Sequence, residues 1–526
     1  MNRIKSGSLT IFIILFLFGC HKDRPIVLSH YVVVNFTIPA DAVVLNPSGN
    51  APLSALVSFK SPLKGHTIIT VKGIHGSASD VVQAFSDTGN YHVIPVLGLY
   101  INRLNTVNIA VIDSKNDTAK ATFTIQTLPL VDSHLPSSIT VDNADRVHMQ
   151  SGFNLVSNLV NYTIAPQLPY MVDSFGDIRW CLDFVNNPVL NQLFYDCGID
   201  RLADGNYRFM DLNTEKIYEI DVLGKILHTW SLGGYNPDHE LYEKPNGNFL
   251  VTCSQPGSKH TNGLPTIADY IIEIDRTTGA IVNTWDLKVS LDEYRQTLTT
   301  STQDWVHHNG LVYDATDNTI IVSGRTQCVV KLTSANQVKW ILAPHKGWGT
   351  NRLGQNLNNY LLTPLDSLGN MITDTAVVNG WVNGAGFEWN WYQHSPQLMP
   401  NHDLLLFDNG TTRNYNNNQP HYSRAVEYRI NETKMTVQQI WEYGKERGLE
   451  TYAPVISSVK YLPDNHILFS PGYDCKNTGG FGGKIVEVNY ATKAVVFQAS
   501  INSADSVAWH RVQRMEIYPN GTPYKN

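Results

Sequence analysis

The feature that most constrains the fold of this chain is a unit that recurs five times: an apolar strand, a polar turn and a second apolar strand. The copies read "IDRLADGNYRFMD", "LYEKPNGNFLVTC", "LVYDATDNTIIVSG", "QLMPNHDLLLFDNG" and "VKYLPDNHILFSPG". Several copies are followed by a further pair of strands, as in "YIIEIDRTTGAIVNTW". Four strands per unit, repeated along the chain, are typical of a β-propeller.

The two ends of this region supply a sixth unit. "PYMVDSFGDIRWCLD" precedes the first copy, and "HRVQRMEIYPNGTPY" lies near the C-terminus. Pairing these segments would close the ring and remove the open sheet edge. We therefore predict an all-β fold with a six-bladed β-propeller catalytic domain at residues 161–526, with five or seven blades as the alternatives.

Ahead of the propeller, residues 26–130 contain short runs of alternating β-branched residues, among them "HTIITVKGI" and "TVNIAVIDS", separated by turn-forming residues. This pattern predicts a small N-terminal β-sandwich. The segment has no cluster of His, Cys or acidic residues, so we interpret it as a structural or assembly domain. A polar linker is expected over residues 131–160.

The first 20 residues have the pattern of an export signal. Arg3 and Lys5 precede "LTIFIILFLFG", which is short for a membrane span. The run ends in "LFGC", which resembles a bacterial lipoprotein cleavage box, and in such signals the cysteine becomes the lipidated first residue of the mature chain. We expect a lipid anchor on Cys20 and a periplasmic or cell-surface lipoprotein held to the outer membrane; a plain uncleaved anchor is the alternative.

Charge and cysteine content exclude some classes of protein. The net charge of −7 is spread along the chain without a basic cluster, so nucleic acid is not an expected partner. Five cysteines remain after Cys20, and none has the spacing of metal ligands. An exported protein can form disulfides, but the odd number leaves at least one thiol free. The oligomeric state, including a homodimer, stays open.

A register shared by the five copies carries the candidate chemistry. Seven residues before the Asp or Asn of each turn, the copies place Cys197, His239, His307, His394 and Ser457, in that order. The first strand of each propeller blade lines the central channel, so equivalent positions at its start form a ring at one mouth. We therefore expect these side chains to converge on one site although they are distant in sequence.

The third copy adds a cation and an amide to this site. In "DWVHHNGLVYDATDNTIIVSGRTQ", pairing about the turn places Arg325 across from His307. Strand alternation puts Asn309 on the same face as His307 and turns His308 away. We interpret His308 as a structural residue.

Two classes of ligand fit such a cluster. Imidazoles bind zinc or copper, but no carboxylate or thiolate clearly completes a metal set, and Arg325 would repel a cation. An arginine among imidazoles suits an oxyanion such as sulfate, phosphate or carboxylate. We expect no metal and no other cofactor.

The chain resembles the bacterial aryl-sulfate sulfotransferases. The resemblance covers most of the chain and is carried by "DWVHHNGLVYDATDNTIIVSGRTQCVVKL", "VKWILAPHKGW", "NWYQHSPQLMPN", "DHELYEKPNGNFLV" and "LLTPLDSLGN". Members of that family move a sulfuryl group between phenols without a nucleotide sulfate donor, on a six-bladed propeller behind a small β-sandwich. The resemblance therefore implies a phenolic sulfate donor and a phenolic acceptor as partners.

The resemblance also implies roles for individual residues. His394 matches the nucleophilic histidine of the family, and His307 and Asn309 match its sulfate-binding histidine and asparagine. Arg325 and His239 match two further positions of the catalytic site. One departure is "MITDTAVVNGWVNGAGFEWNW", which has no cysteine where family members carry a short disulfide loop. In the last copy, a family threonine is lacking and Ser457 is the candidate substrate-binding residue.

On this basis we predict that His394 attacks sulfur and forms a covalent sulfohistidine, which a phenol then attacks, so that the kinetics are ping-pong. Arg325, Asn309 and His307 would hold the sulfuryl oxygens. His239 or His307 would move the phenolic proton. Aromatic residues near the mouth that could stack on aryl groups are Trp305, Trp389, Trp391 and Tyr392.

Two other classes of protein are the alternatives. A lipoprotein propeller that binds an anionic or aromatic ligand without chemistry would share the fold but would not need the histidine set. A quinone-cofactor dehydrogenase propeller would show calcium-binding carboxylates and repeated tryptophan docking motifs, which we do not find in the sequence.

Overall fold

A computed structural model of the 526-residue chain describes residues 31–130, 135–159, 166–299, 301–418, 420–504 and 508–519. The expected signal peptide and the lipidation site Cys20 lie outside the described residues. Within the described ranges, no helix is both long and apolar enough to cross a membrane.

Eight strands form the N-terminal domain, in two sheets with the orders β1-β8-β7-β4-β5 and β2-β3-β6. Their bounds are β1 Val33–Asn35, β2 Val43–Leu45, β3 Ala55–Lys60, β4 His66–Val71, β5 Val81–Ala84, β6 Tyr91–Val96, β7 Leu104–Ile112 and β8 Thr118–Gln126. Burial alternates along the strands, as at the buried positions Val107, Ile109 and Val111 of β7. The predicted β-sandwich is therefore confirmed, since one face of each sheet packs into a shared core.

The remaining strands form six further sheets. Their bounds are β9 Ser138–Ala144, β10 Phe153–Asn158, β11 Tyr170–Val172, β12 Ile178–Cys181, β13 Asp200–Arg201, β14 Tyr207–Asp211, β15 Lys216–Ile220, β16 Ile226–Ser231, β17 Asn236–Glu243, β18 Phe249–Ser254, β19 Tyr270–Ile274, β20 Ile281–Asp286, β21 His308–Asp314, β22 Thr319–Gly324, β23 Cys328–Thr333, β24 Val338–Leu342, β25 Thr363–Leu365, β26 His394–Leu398, β27 Leu404–Asp408, β28 Arg424–Asn431, β29 Thr436–Tyr443, β30 Ser458–Leu462, β31 His466–Ser470, β32 Cys475–Asn477, β33 Gly480–Asn489, β34 Val495–Ser503 and β35 Trp509–Met515.

These sheets are the blades of the predicted six-bladed propeller. Their strand orders, written from the inner strand outward, are β35-β10-β11-β12, β13-β14-β15-β16, β17-β18-β19-β20, β21-β22-β23-β24, β26-β27-β28-β29-β25 and β30-β31-β33-β34-β9, with β32 beside β33. Helices are short: α1 Leu287–Ser290, α2 Thr375–Val378 and the 3-10 turns Ala40–Ala42, Ser77–Ser79, Leu357–Tyr360, Arg413–Tyr415 and Lys445–Glu450. The all-β fold class is confirmed.

The ring closes by pairing its two ends. Inner strand β35 lies antiparallel to β10, with Phe153 opposite Met515 and Val156 opposite Val512. β11 and β12 complete that blade, as the sixth unit predicted. The strands β9 and β10 fall inside the span 131–160 that we expected to be a linker, and both belong to blades. β10 is buried at five successive positions and lacks the alternation of a half-buried strand, whereas β9 alternates and was simply not recognised.

A buried arginine connects the sandwich to the blade that contains β10, β11 and β12. Arg179, fully buried on β12, donates from Nε and Nη2 to the carbonyl oxygen of Gly98, at 2.9 and 2.7 Å. Its Nη1 pairs with Asp173 at 2.9 Å. From the C-terminal side, the hydroxyl of Tyr518 accepts a hydrogen bond from the backbone N–H of Leu97 at 2.8 Å. These contacts join the two domains.

Candidate active site

Four histidines from four blades converge where the inner strands begin. The rings of His239 and His307 are 4.8 Å apart between centroids. His510, at the start of β35, lies 5.8 Å from His239 and 6.3 Å from His394. The convergence of His239, His307 and His394 follows the predicted register, and His510 is a member that the register did not contain.

Backbone irregularities aim these side chains. His307, Tyr392 and Ser395 have positive φ angles of 48°, 54° and 53°, a region that residues other than glycine rarely adopt. The pairing register also shifts in β17, β21 and β26, so each inner strand has a bulge near the mouth. Bulges re-aim side chains next to functional sites. The strain and the bulges coincide here with the histidine ring.

A glycine permits the close approach of two of these blades. A Cβ atom built on Gly310 of β21 would lie 2.7 Å from Cδ of Pro396 on β26. That distance is below any ordinary contact, so a side chain at this position would push the two inner strands apart. The same approach allows Asn309 to reach the residue that precedes His394. The Nδ2 of Asn309 donates to the carbonyl oxygen of Gln393 at 2.8 Å.

His239 and His307 form a hydrogen-bonded pair of imidazoles. Their Nε2 atoms are 3.0 Å apart. The Nδ1 of His307 lies 2.6 Å from Oδ2 of Asp304. The Nδ1 of His239 lies 2.9 Å from Oδ2 of Asp196 and 2.5 Å from Oδ1 of Asp238, with neither oxygen in line with the N–H bond, so these contacts are ion pairs rather than linear hydrogen bonds.

These partners fix the protons of the pair. Burial opposes a charge on His239, but Asp196 and Asp238 outweigh it and raise the pKa of His239 well above its usual value. Burial lowers the pKa of His307, and the neighbouring charges of His239 and Arg325 lower it further although Asp304 opposes them. His239 is therefore an imidazolium that donates from Nε2, and His307 is neutral and accepts at Nε2 while its Nδ1–H faces Asp304.

His394 is held as a neutral imidazole with one free nitrogen. Its Nδ1 lies 2.7 Å from Oδ1 of Asn409 and 3.0 Å from the carbonyl oxygen of Tyr392, and both of these groups only accept. The orientation of the Asn409 amide follows from its own Nδ2, which donates to the carbonyl oxygens of Ala453 and Ile456 at 2.8 and 3.0 Å. The proton of His394 is thus on Nδ1, and Nε2 carries a lone pair.

The surroundings of His394 also keep it uncharged. Burial is the main cause that lowers the pKa of His394 well below its usual value, and the charge of Arg325 lowers it further. Its Nε2 has no hydrogen-bond partner among the residues that the structure describes. A neutral imidazole with an unpartnered lone pair in a channel is chemically a nucleophile.

Arg325 stands at the mouth beside this ring, as the hairpin pairing predicted. Its backbone N–H donates to the carbonyl oxygen of His307 at 3.0 Å. The guanidinium lies 5.4 Å from the ring centre of Tyr392, and its Nη2 is 4.0 Å from Oδ2 of Asp304. One fifth of the side chain is exposed, so the guanidinium can meet an anion that enters the mouth.

The two predicted substrate-binding residues are engaged by the protein. Asn309 is fully buried, and its Oδ1 accepts from the hydroxyl of Ser323 at 2.8 Å while its Nδ2 holds Gln393. The hydroxyl of Ser457 accepts from the backbone N–H of Gly472 at 3.0 Å. A contact of Asn309 or Ser457 with substrate remains a prediction, and in this structure both position backbone next to the site.

Two other predicted positions have structural roles. Burial raises the pKa of Cys197 to about 12, and its Sγ donates to the carbonyl oxygen of Gly198, so this thiol is not a nucleophile. The Nε2 of His308 lies 2.8 Å from the carbonyl oxygen of Tyr270 and faces away from the ring, as expected. Trp305, Trp389 and Trp391 pack in the blades, and Tyr392 alone of the four aromatic candidates is partly open.

Carboxylates accompany the histidines, contrary to our expectation that none completes the set. Asp196, Asp238 and His239 offer ligand atoms that all lie within 4.8 Å of one another. Two ligands of one tetrahedral zinc ion are about 3.3 Å apart. The oxygens of Asp196 and Asp238 approach Nδ1 of His239 more closely than that. As placed, these carboxylates orient and charge the imidazole, and the expected absence of a metal stays a prediction.

Sequence reasoning missed His510 and the supporting acceptors. Asp196 and Asp238 each stand one residue before a register position, so strict alternation would have turned them away from the site; the β-bulges bring Asp238 back. Asp304 precedes His307 by three residues and could have been found in "DWVH". Asn409, in "LLLFDNG", carried no signal that linked it to His394.

Comparisons with known proteins give a consistent result. The profile described as "Arylsulfotransferase (ASST)" matches residues 138–510, and that described as "Arylsulfotransferase Ig-like domain" matches residues 42–128. "Arylsulfate sulfotransferase AssT" of Escherichia coli O6:H1 (strain CFT073) is 30% identical, over 88% of this chain and 90% of that protein. The protein of the same name from Lelliottia amnigena is 31% identical over the same shares.

Solved structures that resemble the fold are distant. A catalytically inactive virginiamycin B lyase from Staphylococcus aureus with quinupristin aligns with a TM-score of 0.33 at 10% identity, over 68% of this chain and 87% of that chain. A similarity at this level has no bearing on function. The family matches, by contrast, span both the sandwich and the blades that supply the histidine ring.

Proposed function

Because this chain belongs to the arylsulfotransferase family, and is therefore an aryl-sulfate sulfotransferase, we propose that it transfers the sulfuryl group by a ping-pong reaction through a sulfohistidine on His394. The observation that carries this proposal is the state of His394. Its Nδ1–H is fixed by Asn409, and its Nε2 lone pair has no partner in the described parts of the chain.

In the first half-reaction the Nε2 lone pair of His394 attacks the sulfur of the aryl sulfate. The N–S bond forms as the bond between sulfur and the aryl oxygen breaks. The phenolate leaves with the electrons of that bond and takes up a proton from the His239–His307 pair. The positive charge that develops on the sulfated imidazole is stabilised through Nδ1–H by Oδ1 of Asn409, 2.7 Å away.

In the second half-reaction an acceptor phenol replaces the first product. Its oxygen attacks sulfur while its proton returns to the His239–His307 pair. The N–S bond breaks, and its electrons restore the lone pair of His394. Protons and charge balance over the full cycle, and the cycle needs no nucleotide or metal.

The reaction also requires that the negative charge on the sulfuryl oxygens be stabilised. Sulfuryl transfer resembles phosphoryl transfer in having a loose transition state, with charge on the peripheral oxygens. We assign the guanidinium of Arg325 to these oxygens, because its backbone is held beside His307 and one fifth of its side chain is exposed. A guanidinium offers two donors in a plane that matches two oxygens of the group.

The His239–His307 pair suits proton transfer in both directions. Asp196 and Asp238 keep the proton on His239 in the resting state. The 3.0 Å hydrogen bond between the Nε2 atoms lets the proton pass to His307 and return. A general acid of this kind contributes about 10²–10⁴-fold for a leaving group that is a strong base.

The test uses p-nitrophenyl sulfate as donor and phenol as acceptor, without nucleotide. Wild type is compared with His394→Ala and with the control His345→Ala, which removes a histidine whose Nε2 bonds only to the carbonyl oxygen of Leu362. We expect His394→Ala to lose about 10⁴-fold or more in kcat, and the control to remain close to wild type. Nitrophenolate release by His394→Ala at the wild-type rate would exclude His394 as the nucleophile.

The kinetic pattern is an independent test. With donor and acceptor varied together, double-reciprocal plots should give parallel lines, because the first product leaves before the acceptor reacts. Intersecting lines would require both substrates to be bound at once, and the sulfohistidine would then not be an obligatory intermediate.

For localisation, we propose that the chain is exported and anchored by a lipid on Cys20, as the "LFGC" motif suggests. Cleavage before Cys20 and lipidation of that cysteine would hold the chain to the membrane by its N-terminus. Globomycin-sensitive processing and membrane fractionation that is lost in Cys20→Ser would support this anchor. Unchanged fractionation of Cys20→Ser would contradict it.

A further inference from the structure

His510 completes the ring in the blade that closes the propeller. It begins the pairing of β35, which reaches back to β10, and its side chain is 1% exposed. Its ring lies between two residues of the proposed mechanism, 5.8 Å from His239 and 6.3 Å from His394, and stands nearly perpendicular to both. No family role was carried over to this residue.

The neighbours of His510 determine its tautomer. The Nε of Arg511 donates to Nδ1 of His510 at 3.3 Å. Arginine can only donate, so Nδ1 must carry the lone pair, and the proton of the neutral ring is on Nε2. Arg511 is itself held by Oε1 of Glu240 at 2.6 Å and by the carbonyl oxygen of His239 at 2.9 Å. The tautomer is therefore built into the channel wall.

The Nε2–H of His510 has no partner. It is buried and makes no hydrogen bond within the described ranges. A buried donor without an acceptor destabilises the folded protein. Burial, followed by the charge of Arg511, lowers the pKa of His510 to about 3, so the ring does not gain a second proton at neutral pH. The donor is fixed and neutral, and a bound acceptor would satisfy it.

Two unpartnered nitrogens thus belong to rings whose centres lie 6.3 Å apart. The Nε2 of His394 is a lone pair, and the Nε2 of His510 is a donor. An aryl sulfate matches this arrangement, because its sulfur is electrophilic and its sulfuryl oxygens accept hydrogen bonds. Of the two charge-carrying members, Arg325 is assigned to the sulfuryl oxygens and His239 to the leaving oxygen.

We propose that His510 is a further catalytic residue, whose Nε2–H donates to a sulfuryl oxygen during transfer to and from His394. This inference rests on the proposed function. It separates stabilisation of the sulfuryl group, by His510 and Arg325, from protonation of the leaving oxygen, by the His239–His307 pair. The donor strengthens as negative charge develops on the oxygen, and it moves no proton.

The experiment compares His510→Ala and His510→Gln with wild type on aryl sulfates whose phenols differ in acidity. Loss of one such donor lowers kcat by about 10²–10³-fold. We expect His510→Ala to show that loss to the same extent for every donor, because the sulfuryl oxygens are common to all. His510→Gln retains an amide N–H and should have a kcat about tenfold higher than that of His510→Ala. A purely structural role of His510 would not predict this recovery.

His239→Gln is the comparator that separates the two roles. Its loss should grow as the leaving phenol becomes less acidic, whereas the loss in His510→Ala should not depend on the phenol. Activity of His510→Ala within about threefold of wild type, or a loss that grows like that of His239→Gln, would overturn the proposal. His510→Gln, nearly isosteric, answers the question if His510→Ala does not fold, as monitored by circular dichroism.

His394→Ala is run in parallel so that two failures can be told apart. If His394→Ala is inactive and His510→Ala is fully active, the inference about His510 fails and the sulfohistidine proposal stands. If His394→Ala retains activity, the proposed function fails and so does the inference that rests on it. The activity of His345→Gln is measured as well, as a control for the general effect of replacing a partly buried histidine.

Discussion

The Nε2 atoms of His239 and His307 lie 3.0 Å apart, and the Nδ1 atoms on their far sides face carboxylates from three different positions of the chain. One proton is shared across this contact, and the carboxylates place it on His239 in the resting state. The pair can therefore give a proton to one phenolate and take it from the next phenol without exchange with solvent.

Asp196→Asn should shift the alkaline limb of the kcat/KM profile to lower pH. The pKa of His239 is raised because Asp196 and Asp238 outweigh burial. Removing one carboxylate lowers that pKa, so the acid is lost at lower pH. The measurement uses phenyl sulfate, whose poor leaving group needs the proton, and p-nitrophenyl sulfate as a control that needs it less. An unchanged limb with phenyl sulfate would mean that His239 is not the acid.

Asn409→Asp should shift the acid limb of activity to higher pH. Nδ1 of His394 donates to Oδ1 of Asn409, and burial holds the pKa of His394 low. A carboxylate at this position favours the imidazolium and raises that pKa, so the nucleophile becomes protonated at higher pH. Asn409→Ala should lower kcat about tenfold or more, because Nδ1–H loses the nearer of its two acceptors and only the carbonyl oxygen of Tyr392 remains. A pH profile of Asn409→Asp identical to wild type would contradict this role.

Arg325→Lys should lower kcat/KM by about 10²-fold, and Arg325→Ala by about 10³-fold. Lysine keeps the charge but lacks the planar pair of donors that fits two sulfuryl oxygens. The measurement is kcat/KM with p-nitrophenyl sulfate under donor-limiting conditions. The backbone hydrogen bond to His307 is unaffected by either change. Equal kcat/KM of Arg325→Lys and wild type would show that the planar pair of donors on Arg325 does not contribute to catalysis.

Arg424→Met should destabilise the fold by about 3–5 kcal/mol. Arg424 is fully buried, with its Nε 2.8 Å from Oδ2 of Asp408, whose Oδ1 accepts from the backbone N–H of Trp391. This network holds the segment ahead of His394 in a chain without a disulfide there. Arg429→Met is the matched control; the side chain of Arg429 is 54% exposed, and its replacement should cost less than about 1 kcal/mol.

Urea unfolding measures both variants. Equal midpoints for Arg424→Met and Arg429→Met would contradict the role of the buried network.

The five cysteines in the described ranges are free and buried. Unfolding curves of the mature protein should therefore be the same with and without a thiol reductant.

Much of the fold could be predicted because the polar turns recur at equivalent positions and so mark the first two strands of each blade. The pairing of β35 with the N-terminal part of the first blade also followed from the need to close the ring. The strands β9 and β10 were assigned to the linker, because their place in the blades is set by pairing with the distant strands β34 and β35. Tertiary pairing, rather than local pattern, defines these two strands.

Only part of the candidate site could be predicted from the sequence, because packing between blades also determines which side chains reach it. Counting seven residues back from a turn finds His239, His307 and His394, since their strands have equivalent bulges. In the last strand the same count from the Pro519 turn leads to Gln513, three residues beyond His510. The blade that joins the chain ends has its own register with β10. Bulges and ring closure are set by packing between blades, which a single sequence does not reveal.

The most direct test of the account is to incubate the enzyme with p-nitrophenyl sulfate alone and map the modified peptide by mass spectrometry. We expect one sulfuryl group on the peptide that contains His394, its loss when phenol is added, and no modification in His394→Ala. Trapping should be done at alkaline pH, where an N-sulfated imidazole with an acid-labile bond survives. Transfer to phenol that proceeds at full rate, with no sulfuryl group on any peptide, would contradict the central claim.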